Sequence, residues 1–252
     1  MLNINLKLLR ISIVLITIMS ASIMVLNPGW FFNNMPEENF SSLTMQKIAH
    51  VDCEDCQAGT RDVTLGHSTA SGMVFAEDKN GKSYVLTAAH FCDYRDPFER
   101  SHSINSITNH FWVSNIDGSS WDAEVIYTEA SSDLCLIATN MPAKHKIKFA
   151  KNMPVMGEKT FAMSAPLGIS SPGMVLHFSG IFSGCDNYGS CFFTIPSTFG
   201  SSGSLILNKD NEVVGMIQMA SPDFYSLSIG VGIKDIKDFI HKAEQDLGIS
   251  IL

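Results

Sequence analysis

Three residue types that act together in nucleophilic catalysis occur in separate segments of the chain. His90 ends the apolar run "SYVLTAAH", Asp133 precedes the run "LCLIAT", and several serines follow a glycine in "STFGSSGSLIL". A serine hydroxyl becomes an effective nucleophile when an imidazole takes its proton, and a carboxylate fixes and stabilises that imidazole. Each residue alone is usually structural. The three together, in the order His, Asp, Ser, indicate acyl-transfer chemistry.

The glycine- and serine-rich segment offers three candidate nucleophiles, Ser201, Ser202 and Ser204. Its composition is also typical of a flexible linker. We interpret it instead as a tight turn that lifts one serine out of a strand end. Glycine permits the unusual backbone conformation in which main-chain N–H groups converge on an oxyanion. The residue types alone do not choose among the three serines.

The elements around these segments are predicted to be short strands. From about residue 64 the sequence alternates between apolar runs and Gly, Asn or Asp. Asn80-Gly81 is a strong hairpin signal between two such runs, and "NKDNE" is a second polar turn. This rhythm predicts an all-β barrel or sandwich. One amphipathic helix follows over "IKDIKDFIHKAEQDLG" and stops at Gly248.

The composition suits a globular protein of one or two domains. Of its 252 residues, 45% are hydrophobic and 17% are charged, so there is enough apolar material for a core. The net charge of −8 argues against a nucleic-acid partner, because an acidic surface repels phosphate. No cofactor motif and no ligand set at zinc spacing accompany the candidate residues, so we expect neither a cofactor nor a metal.

The N-terminal segment has the composition of a targeting signal. Lys7 and Arg10 precede an uncharged apolar run over residues 11–26. Such a run is longer than most signal-peptide cores and shorter than the ~20 residues of a spanning helix. Residues 1–28 are therefore predicted to be either an export signal or a retained membrane anchor, and the protein to be secreted, periplasmic or anchored. The remaining chain is predicted to divide into a linker or N-terminal segment over 29–62 and a catalytic domain over 63–252.

Six cysteines fit an oxidising compartment after export. Cys185 and Cys191 flank the turn-rich "DNYGS", and a disulfide between these two is the best prediction. Cys53 and Cys56 form a C-x-x-C pair. Either of them could instead reach one of the two isolated cysteines, Cys92 and Cys135.

At the candidate catalytic residues the sequence resembles the chymotrypsin-fold serine proteases. "TAAH" matches the motif around their histidine, "SDLCLI" resembles the motif around their aspartate, and "GSSGS" aligns with their G-(D/N)-S-G-(G/S) motif. The resemblance implies a triad of His90, Asp133 and Ser202, with the amides of Gly200 and Ser202 as the oxyanion hole. Ser204 departs from the pattern because it stands where the family usually has a second glycine.

Flanking segments are similar to the HtrA/Deg-type bacterial proteases rather than to digestive trypsins. "AMSAPLGISSPGMVLHFSGIFSG", "GSLILNKDNEVVGMIQM" and "SIGVGIKDIKDFI" carry this likeness, and the resemblance covers about residues 64–247. It implies two six-stranded antiparallel β-barrels followed by a C-terminal α-helix. In a departure from that family, we expect no PDZ domain after the helix. The resemblance also implies a serine endopeptidase that acts on proteins or peptides through an acyl-enzyme.

The resemblance also suggests where the substrate binds. The residue six positions before the nucleophile lies at the base of the primary pocket in this fold, and here it is Pro196. The segment "IQMAS" is expected to form a pocket wall and to pair with the substrate backbone, which makes Gln218, Met219 and Ala220 substrate-binding residues. Because no carboxylate is present to pair with Lys or Arg, we expect small or medium apolar residues at P1.

Two alternatives belong to other classes of protein. A silent or latent relative would use the same fold as a binding module, although the presence of all three triad residues opposes silence. An α/β-hydrolase esterase would need glycine at position 204 and another order of triad residues. Membrane contact through the N-terminal segment and a homo-oligomer are compatible with the resemblance.

Overall fold

The structure, a computed structural model, describes residues 36–52, 60–93, 104–224 and 226–251. The predicted export segment and the "CEDC" cysteines lie outside these ranges. The chain divides into the units Met1–Met35 and Pro36–Leu252, and all described residues belong to the second unit. Within the described ranges, none of the helices has the length and apolar character needed to cross a bilayer.

Six antiparallel strands close into a first barrel in the order β1-β2-β3-β6-β5-β4. The strands are β1 (Phe40–Asp52), β2 (Thr60–Glu77), β3 (Ser83–Ala88), β4 (Ile104–Ser114), β5 (Ser120–Glu129) and β6 (Leu134–Thr139). β3 and β6 are buried along their whole length and pair with each other, with Ala88 opposite Leu134. This antiparallel pairing brings the residues just after β3 next to those just before β6.

The second barrel contains the remaining strands. They are β7 (Lys148–Phe149), β8 (Lys159–Ser164), β9 (Leu176–Cys185), β10 (Cys191–Phe193), β11 (Leu205–Leu207), β12 (Glu212–Ala220) and β13 (Ser228–Gly232). Six of them follow the order β11-β8-β9-β10-β13-β12, and pairing between β11 and β12 closes the ring. β7 adds a short parallel strand beside β12. The predicted pair of six-stranded barrels is thus confirmed.

Two α-helices accompany the barrels among the described residues. α1 (Ala89–Cys92) is a single turn directly after β3, and α2 (Ile233–Leu247) follows β13. α2 buries Ile236, Phe239 and Ile240 on one face, and Gly248 ends it in the left-handed conformation that glycine adopts at low cost. The predicted C-terminal helix is therefore confirmed.

The structure differs from the sequence prediction over residues 40–52. The sequence suggested a linker through residue 62, whereas β1 (Phe40–Asp52) is a barrel strand that pairs with both β2 and β4. Alternate residues of β1 are buried, but Ser41 and Lys47 occupy two of those inward positions. These polar residues hide the period-two apolar pattern by which a strand is recognised.

Two disulfides lie within the described residues. Cys185 pairs with Cys191 across the β9–β10 hairpin, which confirms the prediction for these two cysteines. Cys92 pairs with Cys135 and so ties α1 to β6. Because these two bond to each other, neither pairs with Cys53 or Cys56.

Candidate active site

His90 and Asp133 meet where β3 ends and β6 begins. The Asp133 carboxylate accepts one hydrogen bond from the main-chain N–H of His90 and one from its ring, with Nδ1 2.8 Å from Oδ2. Since a carboxylate can only accept, Nδ1 carries the hydrogen, and in the neutral imidazole Nε2 then keeps its lone pair. The side chains are 52% and 30% exposed, so the pair is open to an incoming substrate.

Asp133 sits in a turn that is held from several sides. Its φ of 49° lies in the left-handed region, which Asp tolerates better than most residues. The Ala89 N–H donates to the Asp133 carbonyl, and the Ser132 hydroxyl donates to Glu129. Hydrogen bonds from Lys242 of α2 and from Ser132 hold the pKa of the Glu129 carboxyl below its usual value. The turn is thereby fastened to both β5 and α2.

The serine loop joins β10 to β11 and packs against the first barrel. Gly203 has φ 88°, and a Cβ there would lie 2.1 Å from the Ser71 carbonyl and 2.2 Å from Thr87 Oγ1. The Ser71 N–H donates to the Ser202 carbonyl. Thr87 is three residues before His90, so this contact brings Ser202 to the edge of the first barrel that carries His90. Only glycine fits at position 203.

Main-chain N–H groups in the loop fall into two sets. Those of Ser201, Gly203 and Ser204 donate to carbonyls. Those of Gly200 and Ser202 have no partner among the described residues, and Gly200 takes φ 86°. The two amides that the resemblance assigns to an oxyanion hole are therefore available to a ligand.

The Ser202 hydroxyl has a different partner from the one expected for a nucleophile. It donates to the main-chain carbonyl of Gln218 over 3.0 Å, and in the described part of the chain it makes no hydrogen bond to His90. The structure thus brings His90 and Asp133 into direct contact, while the serine hydroxyl rests on β12. Catalytic hydrogen bonds are often long or unmade until substrate is bound.

The predicted substrate-binding residues lie on two segments. Pro196 is exposed between two buried neighbours, Ile195 and Ser197. Met219 is 59% exposed at the end of β12, so it is not a core residue, and Ala220 beside it is half-buried. Gln218 directs its side-chain amide to the main chain of the Asp133 turn.

Sequence reasoning missed Ser197. Its hydroxyl is buried and has no hydrogen-bond partner among the described residues, next to the proline expected at the pocket base. Its only sequence signal is that position beside Pro196.

The described residues also form a cavity away from the candidate catalytic residues. It has a volume of about 960 Å³ and is lined by residues of the 143–151 connection between the barrels and by α2, but by none of the candidate catalytic residues. This cavity is therefore separate from the pair of His90 and Asp133. No group of His, Cys, Asp or Glu within the described ranges could hold a metal ion.

The two closed barrels and the terminal helix define the chymotrypsin-like fold. A sequence model of the trypsin-like peptidase domain matches residues 70–216, more than half of the chain, and the chain therefore belongs to that family. No curated protein sequence matches the chain.

Solved structures share the fold. A serine endoprotease from Yersinia pestis aligns with a TM-score of 0.59 at 14% identity, over 84% of this chain and 65% of that one. An inactive form of Rv3671c from M. tuberculosis H37Rv aligns with a TM-score of 0.55 at 15% identity, over 88% of this chain and 93% of that one. The chain thus covers slightly less than two thirds of the Yersinia protein. At these identities the likeness establishes the fold.

Proposed function

We propose that this trypsin-like peptidase is a serine endopeptidase that uses Ser202 as its nucleophile, His90 as its general base and Asp133 as the partner of the imidazole. The observation that carries the proposal is the double hydrogen bond from His90 to the Asp133 carboxylate. It fixes the orientation and the tautomer of the neutral imidazole, so that Nε2 offers the lone pair that a general base requires.

The proposed reaction has two halves. Nε2 of His90 takes the proton of the Ser202 hydroxyl as Oγ attacks the scissile carbonyl carbon, and the amides of Gly200 and Ser202 stabilise the oxyanion. The imidazolium then gives its proton to the leaving amine, which leaves an acyl-enzyme. Water attacks this ester with the same base and releases the acid and free Ser202.

Labelling with a fluorophosphonate probe tests the nucleophile. We expect wild type to be labelled and Ser202→Ala to lose labelling completely. Ser201→Ala is the matched control, because it removes a hydroxyl one residue away and should keep labelling. Labelling of Ser202→Ala at the wild-type level would contradict the assignment.

The proposed specificity is for small or medium apolar P1 residues. Pro196 offers no charge to a basic side chain, and the exposed Met219 and the half-buried Ala220 give an apolar wall. Digestion of a peptide library, analysed by mass spectrometry, should give cuts after residues such as Ala and Val. Cleavage mainly after Lys or Arg would contradict this specificity.

One observation favours latency as a second candidate function. The Ser202 hydroxyl donates its hydrogen bond to the Gln218 carbonyl instead of to His90. A latent enzyme would hold this arrangement until an activator or another subunit changed it. In that case wild type and Ser202→Ala would both resist the probe, and labelling would appear in wild type alone on activation.

We propose that the protein is exported, with residues 1–28 as a cleaved signal or a retained anchor. We also propose that its substrates are proteins or peptides and that the chain self-associates. The apolar run after two basic residues and the disulfides support an oxidising destination. Cell fractionation with N-terminal sequencing separates cleavage from anchoring. Recovery of the intact chain in the cytosol would contradict export. Analytical ultracentrifugation measures the oligomeric state, and a monomer across the concentration range would contradict self-association.

A further inference from the structure

Gln218 stands at an irregularity in β12. Along the β12–β13 ladder Ile217 pairs with Gly230 and Met219 pairs with Ile229, so Gln218 is an extra residue without an opposite partner. A bulge of this kind releases one residue from the ladder and redirects its side chain. The carbonyl and the side chain of Gln218 are both used at the candidate active site.

The side chain of Gln218 reaches from the second barrel to the first. Its Nε2 donates to the carbonyls of Ser132 and Asp133, at 2.5 Å and 3.3 Å. Asp133 has a left-handed backbone conformation that residues other than glycine seldom adopt. The turn therefore needs hydrogen bonds from neighbouring residues to keep this conformation. The amide of Gln218 supplies two hydrogen bonds to that turn.

The main chain of Gln218 reaches the other side of the site. Its carbonyl accepts the Ser202 hydroxyl over 3.0 Å. One residue therefore contacts the segment that orients His90 and the residue proposed to attack the substrate. Gln218 is half-buried, and its side-chain amide donates hydrogen bonds to protein carbonyls rather than to an incoming peptide.

We propose that Gln218 is a positioning residue that keeps Asp133 on His90 and holds the resting Ser202 hydroxyl on β12. This inference rests on the proposed function, and it replaces the expected role of the Gln218 side chain in substrate binding. The amide fixes the backbone of the Asp133 turn, and the carboxylate of that residue then stays in line with Nδ1 of His90. Loss of the donor lets the turn relax and the imidazole lose its fixed orientation.

Gln218→Met and Gln218→Glu test the proposal by steady-state kinetics. Met keeps the length of the side chain without a donor, and Glu keeps its shape but turns a carboxylate towards two carbonyl oxygens. We expect kcat to fall about 10- to 100-fold in both, with KM within about twofold of wild type, because misplacement by about 1 Å costs rates of this order. The matched control, Met219→Ala, should raise KM instead.

A second readout does not depend on turnover. In the 1H NMR spectrum the hydrogen-bonded Nδ1 proton of His90 should exchange with water faster in Gln218→Met than in wild type. A merely structural role would lower the melting temperature without moving this exchange rate at temperatures where the variant is folded. An unchanged kcat with a raised KM, or an unchanged exchange rate, would overturn the positioning role.

The two proposals fail in different ways. Activity or labelling that persists in Ser202→Ala overturns the proposed nucleophile. Labelling that depends on Ser202 while Gln218→Met keeps the wild-type kcat overturns only the positioning role. If wild type is latent, the proton-exchange comparison still decides about Gln218.

Discussion

Ser204 is the residue at which the nucleophile loop departs from the pattern of the family it resembles. Its side chain is fully buried, and its hydroxyl has no hydrogen-bond partner among the described residues. A buried unsatisfied hydroxyl lowers stability by about 1–3 kcal/mol. We therefore expect Ser204→Ala to raise the free energy of unfolding by roughly 1 kcal/mol in urea titrations, while labelling by the fluorophosphonate probe persists.

Ser201→Ala is the control for this prediction. Ser201 is equally buried, but its hydroxyl accepts a hydrogen bond from the Thr198 N–H. Removal of that acceptor should lower the free energy of unfolding by about 1 kcal/mol. Equal effects of the two substitutions, in sign and size, would contradict the difference between a satisfied and an unsatisfied hydroxyl.

At the residue scale the sequence offers candidate side chains but not their hydrogen bonds. The types and order of His90, Asp133 and Ser202 could be recognised because each carries its own local motif. The contact of Ser202 with Gln218 could not, since it depends on a bulge in a strand that is distant along the chain. Bulges follow from tertiary packing and leave no periodic signal.

At the scale of elements, α2 is attached to the turn that carries Asp133. The Glu129 carboxylate accepts hydrogen bonds from Lys242 and from the Ser132 hydroxyl, and both lower the pKa of Glu129. The bond to Glu129 in turn raises the pKa of Lys242. A carboxyl with a lowered pKa stabilises the fold above its unfolded pKa and loses that contribution as pH falls through its folded pKa. The raised pKa of Lys242 keeps the ammonium charged throughout this range.

We expect Lys242→Met to lower the melting temperature at pH 7 and to have progressively less effect as the pH falls below the normal titration range of glutamate. Lys234→Met is the control, because Lys234 forms an exposed i,i+4 pair with Asp238 on the same helix. That pair should contribute little at any pH. Melting curves between pH 7 and pH 3 check both variants, and a pH-independent effect of Lys242→Met would contradict the coupling to Glu129.

The two disulfides constrain loops of very different length. Cys92 and Cys135 are 43 residues apart, and Cys185 and Cys191 are 6 apart. In the chain-entropy model these loops correspond to about 4 and about 2 kcal/mol of stability. We expect replacement of both cysteines by alanine to lower the free energy of unfolding more for the first pair, as measured in urea. A larger loss for the short loop would contradict the entropic account.

Most strands could be predicted because each is a short apolar run between turn signals. β1 could not, because Ser41 and Lys47 occupy buried positions at which the period-two pattern of a strand requires apolar residues. The Cys185–Cys191 pair was predictable from the turn-rich loop between its members. The Cys92–Cys135 pair depends on the antiparallel pairing of β3 with β6, which only the assembled barrel supplies.

At the scale of the whole molecule, the first barrel carries His90 and Asp133, and the second carries Ser202. These three residues therefore keep their relative positions only if the two barrels are held in a fixed arrangement. The segment before β1 contributes to it, because Glu37 pairs with His177 of β9 and Glu38 pairs with His145 of the inter-barrel connection. Between these contacts and β1 lies Asn39, which is completely buried.

Asn39 uses its whole amide to join β2 to the inter-barrel connection. Nδ2 donates to the carbonyls of Val74 and His145, and Oδ1 accepts from the N–H groups of Lys144 and His145. Asn39→Leu would remove the hydrogen-bond partner of four polar main-chain groups, so we expect it to lower the free energy of unfolding by about 3 kcal/mol. Asn39→Asp should recover part of this loss at acidic pH, where a protonated carboxyl regains one donor.

Asn115→Leu, in a solvent-accessible turn, is the control, and its free energy of unfolding should fall by about 1 kcal/mol. Urea unfolding at pH 7 and pH 4 measures all three variants, and equal losses for Asn39→Leu and Asn115→Leu would contradict a stabilising role of the buried Asn39 amide between β2 and the inter-barrel connection.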